Sequence, residues 1–129
     1  MRVLLDTHIW LWYLLAGERL SDGHRACIQD PENEIWLSPI SIWEAHLLIE
    51  RGRLPIVQPP LQWVSSALQA LPVNQAPLTF PIAMRSRQIR ALHEDPTDRF
   101  LAATAIEMKL VLLTADERLL GCQELHCLT

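Results

Sequence analysis

The sequence predicts an α/β domain, with a mostly parallel central sheet of about five strands covered by helices on both faces. Short apolar runs alternate with longer segments of helical period along the whole chain, the order that builds parallel strands joined by crossover helices. No Asn-Gly dipeptide marks a tight hairpin. The length of 129 residues, half of them hydrophobic and a fifth charged, suits one domain, residues 1–129, with a real core.

Arg2–Asp6 reads as the first strand and Thr7 to about Leu15 as a helix stopped before Gly17. Ser21-Asp22 caps a second helix running to about Asp30, with Pro31 just past its end. Glu34–Ser38 is the second strand. Ser41-Ile42-Trp43-Glu44 then has the spacing of a capping box, and Ile42, Ala45, Leu48 and Ile49 form the apolar stripe of the helix behind it. Gly52 ends that helix, and a proline-rich crossing, Leu54–Pro60, leads to a fourth over Pro60–Ala70. Leu71-Pro72-Val73 predicts a third strand at a sheet edge, where the missing proline N–H is tolerated. Thr79 caps a fifth helix over Phe80–Leu92, and a loop, His93–Thr97, precedes a sixth over Asp98–Met108. Leu110–Thr114, Ala115–Leu120 and Glu124–Leu128 complete the chain as strand, short helix and strand.

Several function classes fall away at once. No apolar run approaches the ~20 residues of a membrane-spanning helix, and Asp6 and His8 interrupt the opening run too early for a signal peptide. A cytoplasmic protein is the expectation. Three cysteines with no CxxC pair predict small core residues rather than a disulfide framework or a zinc site. The five histidines lack metalloprotease spacing. A net charge of −4 opposes bulk electrostatic coating of nucleic acid. No GxGxxG follows the first strand, which removes a dinucleotide-binding site.

Open parallel sheets place their sites at the carboxyl ends of strands, near the reversal of strand order. Asp6 ends the first strand, Glu44 begins the helix after the second, Asp98 opens the helix preceding the fourth, and Asp116 follows the fourth directly, so four acids far apart in sequence converge on one edge. Each also has a purely structural reading, Glu44 as the capping-box partner of Ser41 and the three aspartates as N-caps. Taken together they point elsewhere. Two carboxylates ~4 Å apart repel by about 4 kcal/mol at an effective dielectric near 20, so four in one pocket call for a cation. Hard oxygen ligands select Mg2+ or Mn2+, and the matching chemistry is phosphodiester hydrolysis by metal-activated water.

The same residues carry a resemblance. Leu4–Trp12 (LLDTHIWLW) resembles the opening motif of PIN-domain ribonucleases, specifically the VapC-like toxins of toxin–antitoxin pairs. Ser38–Glu44 (SPISIWE) is similar to their second motif, His93–Ala105 (HEDPTDRFLAATA) to their third, and Leu113–Asp116 (LTAD) to their fourth. The four stand in family order and span nearly the whole chain. Thr97 departs from the family's usual phenylalanine, which touches loop packing rather than chemistry.

The resemblance implies a three-layer α/β/α fold and an Mg2+- or Mn2+-dependent endoribonuclease. It assigns Asp6 and Asp98 to the principal metal, with Glu44 and Asp116 acting through water or at a second ion, and makes Asp95 a turn former. Thr7 and Thr114 would steady carboxylates or water as hydroxyl partners, and His8 would hydrogen-bond locally. Arg99 and the group Arg85, Arg87 and Arg90 would contact RNA phosphates or, equally, pair with the acids. The implied partners are RNA, a cognate antitoxin and a second copy of the chain. Two alternatives stand beside this reading: a non-catalytic PIN-like binding module, and an aspartyl-phosphate phosphatase. The latter expects a D-x-D where this chain has His8 as the third residue.

Overall fold

The computed structural model describes all residues, Met1–Thr129. Its centre is a five-stranded, all-parallel sheet in the order β3-β2-β1-β4-β5. The strands are β1 (Arg2–Leu5), β2 (Glu34–Leu37), β3 (Asn74–Gln75), β4 (Val111–Leu113) and β5 (Cys127–Leu128). The helices are α1 (Thr7–Leu14), α2 (Asp22–Gln29), α3 (Pro39–Glu50), α4 (Pro60–Ala70), α5 (Phe80–Ser86), α6 (Pro96–Met108) and α7 (Glu117–Leu120). The predicted fold class is present, with the sheet wholly rather than mostly parallel.

Strand periodicity divides the core in two. Val3, Leu5, Ile35, Leu37 and Leu113 face α1–α4, while Leu4 and Leu112 face α5–α7. That alternation of successive side chains across a pleated strand explains the uninterrupted apolar runs: in a sheet covered on both sides every position is interior. Trp10 is fully buried and packs edge-on against Trp63 of α4. His24 is also buried, with neither ring nitrogen paired and burial lowering its pKa; it is a neutral core residue. The cysteines are free thiols, Cys27 and Cys122 buried.

Several element boundaries differ from expectation, the last strand starting at Cys127 rather than Glu124 and the last helix at Glu117 rather than Ala115. The third strand is Asn74–Gln75, not Leu71–Val73, because the Leu71 N–H still serves the end of α4 through Ala67 O, and Asn74 Nδ2 donates to Ile35 O. The third helix begins at Pro39 with Ser38 as N-cap, its hydroxyl accepting from Ile40 N. The Ser41–Glu44 capping box therefore does not form. The sixth helix begins at Pro96, and Asp95 is its cap, Oδ1 accepting from Thr97 N and Asp98 N. The fifth helix ends at Ser86 rather than Leu92. The carbonyls of Ser86, Ile89 and Leu92, which a continuing helix would give to its own N–H groups, are taken by the Arg99 guanidinium. Ala91 adopts a left-handed φ of 57° in that stretch, off the helical path.

Candidate active site

The strand order reverses between β1 and β4, and the chain leaves the carboxyl ends of these two neighbours in opposite directions. Asp6 follows β1 directly. Its N–H extends the ladder to Leu113 O at 3.0 Å, and although it stands at the N-cap of α1 its carboxylate caps nothing. Instead Asp6 Oδ2 accepts a 2.7 Å hydrogen bond from Thr114 Oγ1, just past β4. The same Thr114 oxygen accepts from Asp116 N at 3.0 Å. One hydroxyl thus ties the first acid to the backbone of the last.

Asp6, Glu44, Asp98 and Asp116 all line a single cleft of about 330 Å³, together with Asp95, His8, Trp12, Arg19 and Arg118. A larger apolar groove of about 500 Å³, between Leu37, Ile42, Leu68 and Val73, holds no titratable side chain and so offers no comparable chemistry. Glu44 reaches the acid cleft from the second turn of α3. That helix is pinned to α1 by Thr7, whose Oγ1 donates to Ser41 Oγ at 2.8 Å. Thr7 thus joins the two helices and also lies beside the Glu44 carboxylate, whose pKa its hydroxyl lowers, while Thr114 holds the Asp6 carboxylate.

Asp98 sits in the first turn of α6, where the helix dipole favours negative charge. His93 Nε2 donates to Asp98 Oδ2 at 2.7 Å, and His93 Nδ1 is buried without a partner. Arg118, in the first turn of α7, holds Asp116 with Nη2–Oδ2 at 3.0 Å and Nε–Oδ1 at 3.3 Å; its Nη2 also lies 3.7 Å from Asp98 Oδ2. Asp116 Oδ1 caps α7 through Arg118 N, so its capping and cleft-lining roles coexist.

The electrostatics follow from these surroundings. Burial raises the Asp6 carboxyl to about 6, the Thr114 hydrogen bond opposing it and the charge of Asp98 adding to it. Burial likewise raises Glu44 and Asp98, the latter opposed by His93. Arg118 pulls Asp116 below the ordinary carboxylate range. Three desolvated acids with upward-shifted pKa values in one cleft mark a place where a cation would be welcome.

The donor set fits a hard divalent ion. Asp6 Oδ1 and Asp98 Oδ1 receive no side-chain hydrogen bond, the other oxygen of each being the one engaged. No three acid, histidine or cysteine side chains close into an all-protein cage. Mg2+ does not require one, since it keeps several waters and is held by one or two carboxylates plus substrate phosphate.

Two expectations need correction. Arg99 is only 4 % exposed and donates to Ser86 O, Ile89 O, Leu92 O and His93 O at 2.7–3.1 Å, so its guanidinium is taken up by backbone carbonyls and does not line the cleft of the four acids. Arg85 and Arg87 pair with Glu107 and Glu94, and neither they nor Arg90 line the cleft. His8, expected to hydrogen-bond locally, is exposed with its ring tilted against Trp12. The sequence reading also missed His93 and Arg118. His93 stood inside the third motif, and Arg118 two residues beyond the fourth, a spacing that lets a first-turn side chain fold back on its own cap.

An all-parallel α/β/α sandwich with acids gathered at the switch point of its sheet is the architecture of a PIN domain. The family model for the PIN domain matches residues 3–121, and the chain belongs to that family. It is 31 % identical over 118 residues to Ribonuclease VapC22 of Mycobacterium tuberculosis (strain ATCC 25618 / H37Rv), covering 91 % of this chain and 88 % of that protein. Among solved structures, VapBC2 from Rickettsia felis bound to a promoter DNA fragment superposes with a TM-score of 0.74 at 14 % identity, over 99 % of this chain and 98 % of that one. VapBC-1 from nontypeable Haemophilus influenzae gives 0.71 at 18 % identity, over 99 % and 97 %. No helix is long and apolar enough to cross a membrane.

Proposed function

We propose that this protein is a divalent-metal-dependent endoribonuclease and the toxin of a toxin–antitoxin pair. One observation carries the proposal: four carboxylates from four separated segments, Asp6, Glu44, Asp98 and Asp116, line one cleft at the switch point of the sheet. The likeness to a protein named a ribonuclease supports RNA as the substrate. The fold shared with VapBC complexes supports an antitoxin as partner, and a homodimer and a cytoplasmic setting belong to the same reading.

Asp6 and Asp98 would hold the cation through their free Oδ1 atoms, with Glu44 and Asp116 completing its surroundings through water. When bound, Mg2+ or Mn2+ supplies positive charge at the scissile phosphate and makes water acidic enough to attack near neutral pH. Glu44, whose burial raises its proton affinity, orients the attacking water and receives its proton at a carboxylate oxygen. Thr114 keeps Asp6 in one rotamer, and His93 does the same for Asp98. Arg118 balances Asp116 and Asp98 before the phosphate arrives. The retention of all four acids favours this reading over a non-catalytic module.

Incubating purified protein with total RNA in Mg2+, in Mn2+ and in EDTA tests the proposal. Cleavage is expected only with metal and without 2′,3′-cyclic phosphate ends, because water and not the ribose 2′-hydroxyl attacks. Equal cleavage in EDTA, or 2′,3′-cyclic phosphate ends, would overturn it.

A further inference from the structure

The acid cleft poses a problem for a polyanionic substrate: the protein carries a net charge of −4, and Asp6, Glu44, Asp95, Asp98 and Asp116 all line the cleft that RNA would have to enter. Something on the rim must bind phosphate. Of the arginines considered so far, Arg99 is buried on backbone carbonyls, Arg85 and Arg87 are paired away from the cleft, and Arg118 is held by Asp116. Arg19 is the remaining guanidinium lining the cleft. It is exposed, forms neither a hydrogen bond nor an ion pair, and lies over the Trp12 indole with Cζ 6.0 Å from the ring centroid.

Trp12 has a second neighbour. His8, one helical turn earlier on α1, is exposed, and its ring centroid lies 6.0 Å from that of Trp12 at an interplanar angle of 55°. Rings at that angle are not stacked on each other, so the imidazole keeps a face for a planar ligand. An exposed imidazole, a half-buried indole and an unpaired guanidinium therefore share one edge of the cleft, beside the acids. Aromatic faces for bases with an adjacent cation for the backbone is the chemistry by which single-stranded nucleic acid is held.

We infer that His8, Trp12 and Arg19 form a nucleotide subsite beside the reacting phosphate, the rings taking an unstacked base and Arg19 its phosphate. The inference rests on the ribonuclease reading and adds that the strand must be unpaired at the nucleotide flanking the cut.

The test uses a short single-stranded RNA whose cut site has been mapped with the wild-type protein, and the same strand made abasic at the flanking nucleotide. His8→Ala and Arg19→Ala alter exposed side chains, and unchanged thermal midpoints check that both variants fold. Arg19→Ala is expected to raise KM about tenfold at low salt and to reduce the salt dependence of log KM by nearly one unit. His8→Ala is expected to raise KM about fivefold on the intact strand, within the range of base–aromatic stacking, and to have no effect on the abasic strand. The change falls on KM, with kcat held within about twofold. If the effects of His8→Ala and base removal multiply independently, or if Arg19→Ala leaves KM and its salt dependence unchanged, the subsite is overturned while the ribonuclease stands. If the wild-type protein cleaves no RNA in Mg2+ or Mn2+, both fall together.

Discussion

Asp6→Asn is expected to abolish RNA cleavage and at the same time to stabilise the metal-free protein. Asparagine keeps an acceptor for Thr114 Oγ1 and nearly the same shape, so the contacts of β1 and β4 survive. What disappears is a buried charge. The Asp6 carboxyl titrates at about 6 in the folded chain against 3.8 unfolded. Between those values the native state retains a proton that the unfolded chain has released, so stability falls as pH rises from about 4 to about 6. Above that window the penalty is complete, of order 3 kcal/mol. Urea denaturation in EDTA should therefore find the variant more stable than wild type at pH 7 and equal to it near pH 3. Mg2+ should recover the difference in the wild type alone, because an ion that binds only the folded state stabilises it. A variant less stable than wild type at pH 7 would show that Asp6 is a structural anion.

The second large effect concerns Arg99, which holds no place in the cleft. Its guanidinium closes four carbonyls from the end of α5 to His93, the stretch that presents His93 to Asp98. Arg99→Ala should destabilise the protein by about 3–5 kcal/mol, since each buried carbonyl left without a donor costs about 1–3 kcal/mol before relaxation. Arg99→Lys should lose roughly half as much, because an ammonium offers at most three donors and no planar fork. Urea midpoints of the three proteins measure this. A loss under 1 kcal/mol for Arg99→Ala would mean that water replaces the guanidinium and that the segment is not built around it.

Arg99 also shows where sequence reading stops. Its neighbours in the chain identify a helix and a motif, but its destination depends on carbonyls six to thirteen residues earlier, which have no pattern of their own. The same contact explains why the fifth helix could not be bounded from sequence: Phe80–Leu92 carries helical periodicity, and the competing donor lies on another element. Ser41–Glu44 fails differently. The S-x-x-E spacing is real, but Ser38 precedes Pro39, a residue suited to the first helical position, and the earlier cap wins. This displacement frees Glu44 to line the cleft.

The acids themselves were legible, because a strand that ends in a carboxylate and turns straight into a helix places that carboxylate by topology alone. Val3-Leu4-Leu5-Asp6 and Leu112-Leu113-Thr114 are neighbours in the sheet, and the Thr114–Asp6 bond follows from their parallel register. Arg118 and Arg19 were not legible as members of the cleft, nor was His93 as the partner of Asp98. Long or rotatable side chains reach it from loops and first turns, where no periodicity fixes their direction.

On the proposed function, Asp6, Glu44, Asp98 and Asp116 together hold a divalent cation. Titrating Mn2+ into the protein while following the electron paramagnetic resonance signal of the free ion tests it most directly. The wild-type protein should deplete that signal in a saturable way, and the double variant Asp6→Asn, Asp98→Asn should leave it as in buffer. Equal depletion by the double variant would contradict the claim, because the ion would then be bound elsewhere.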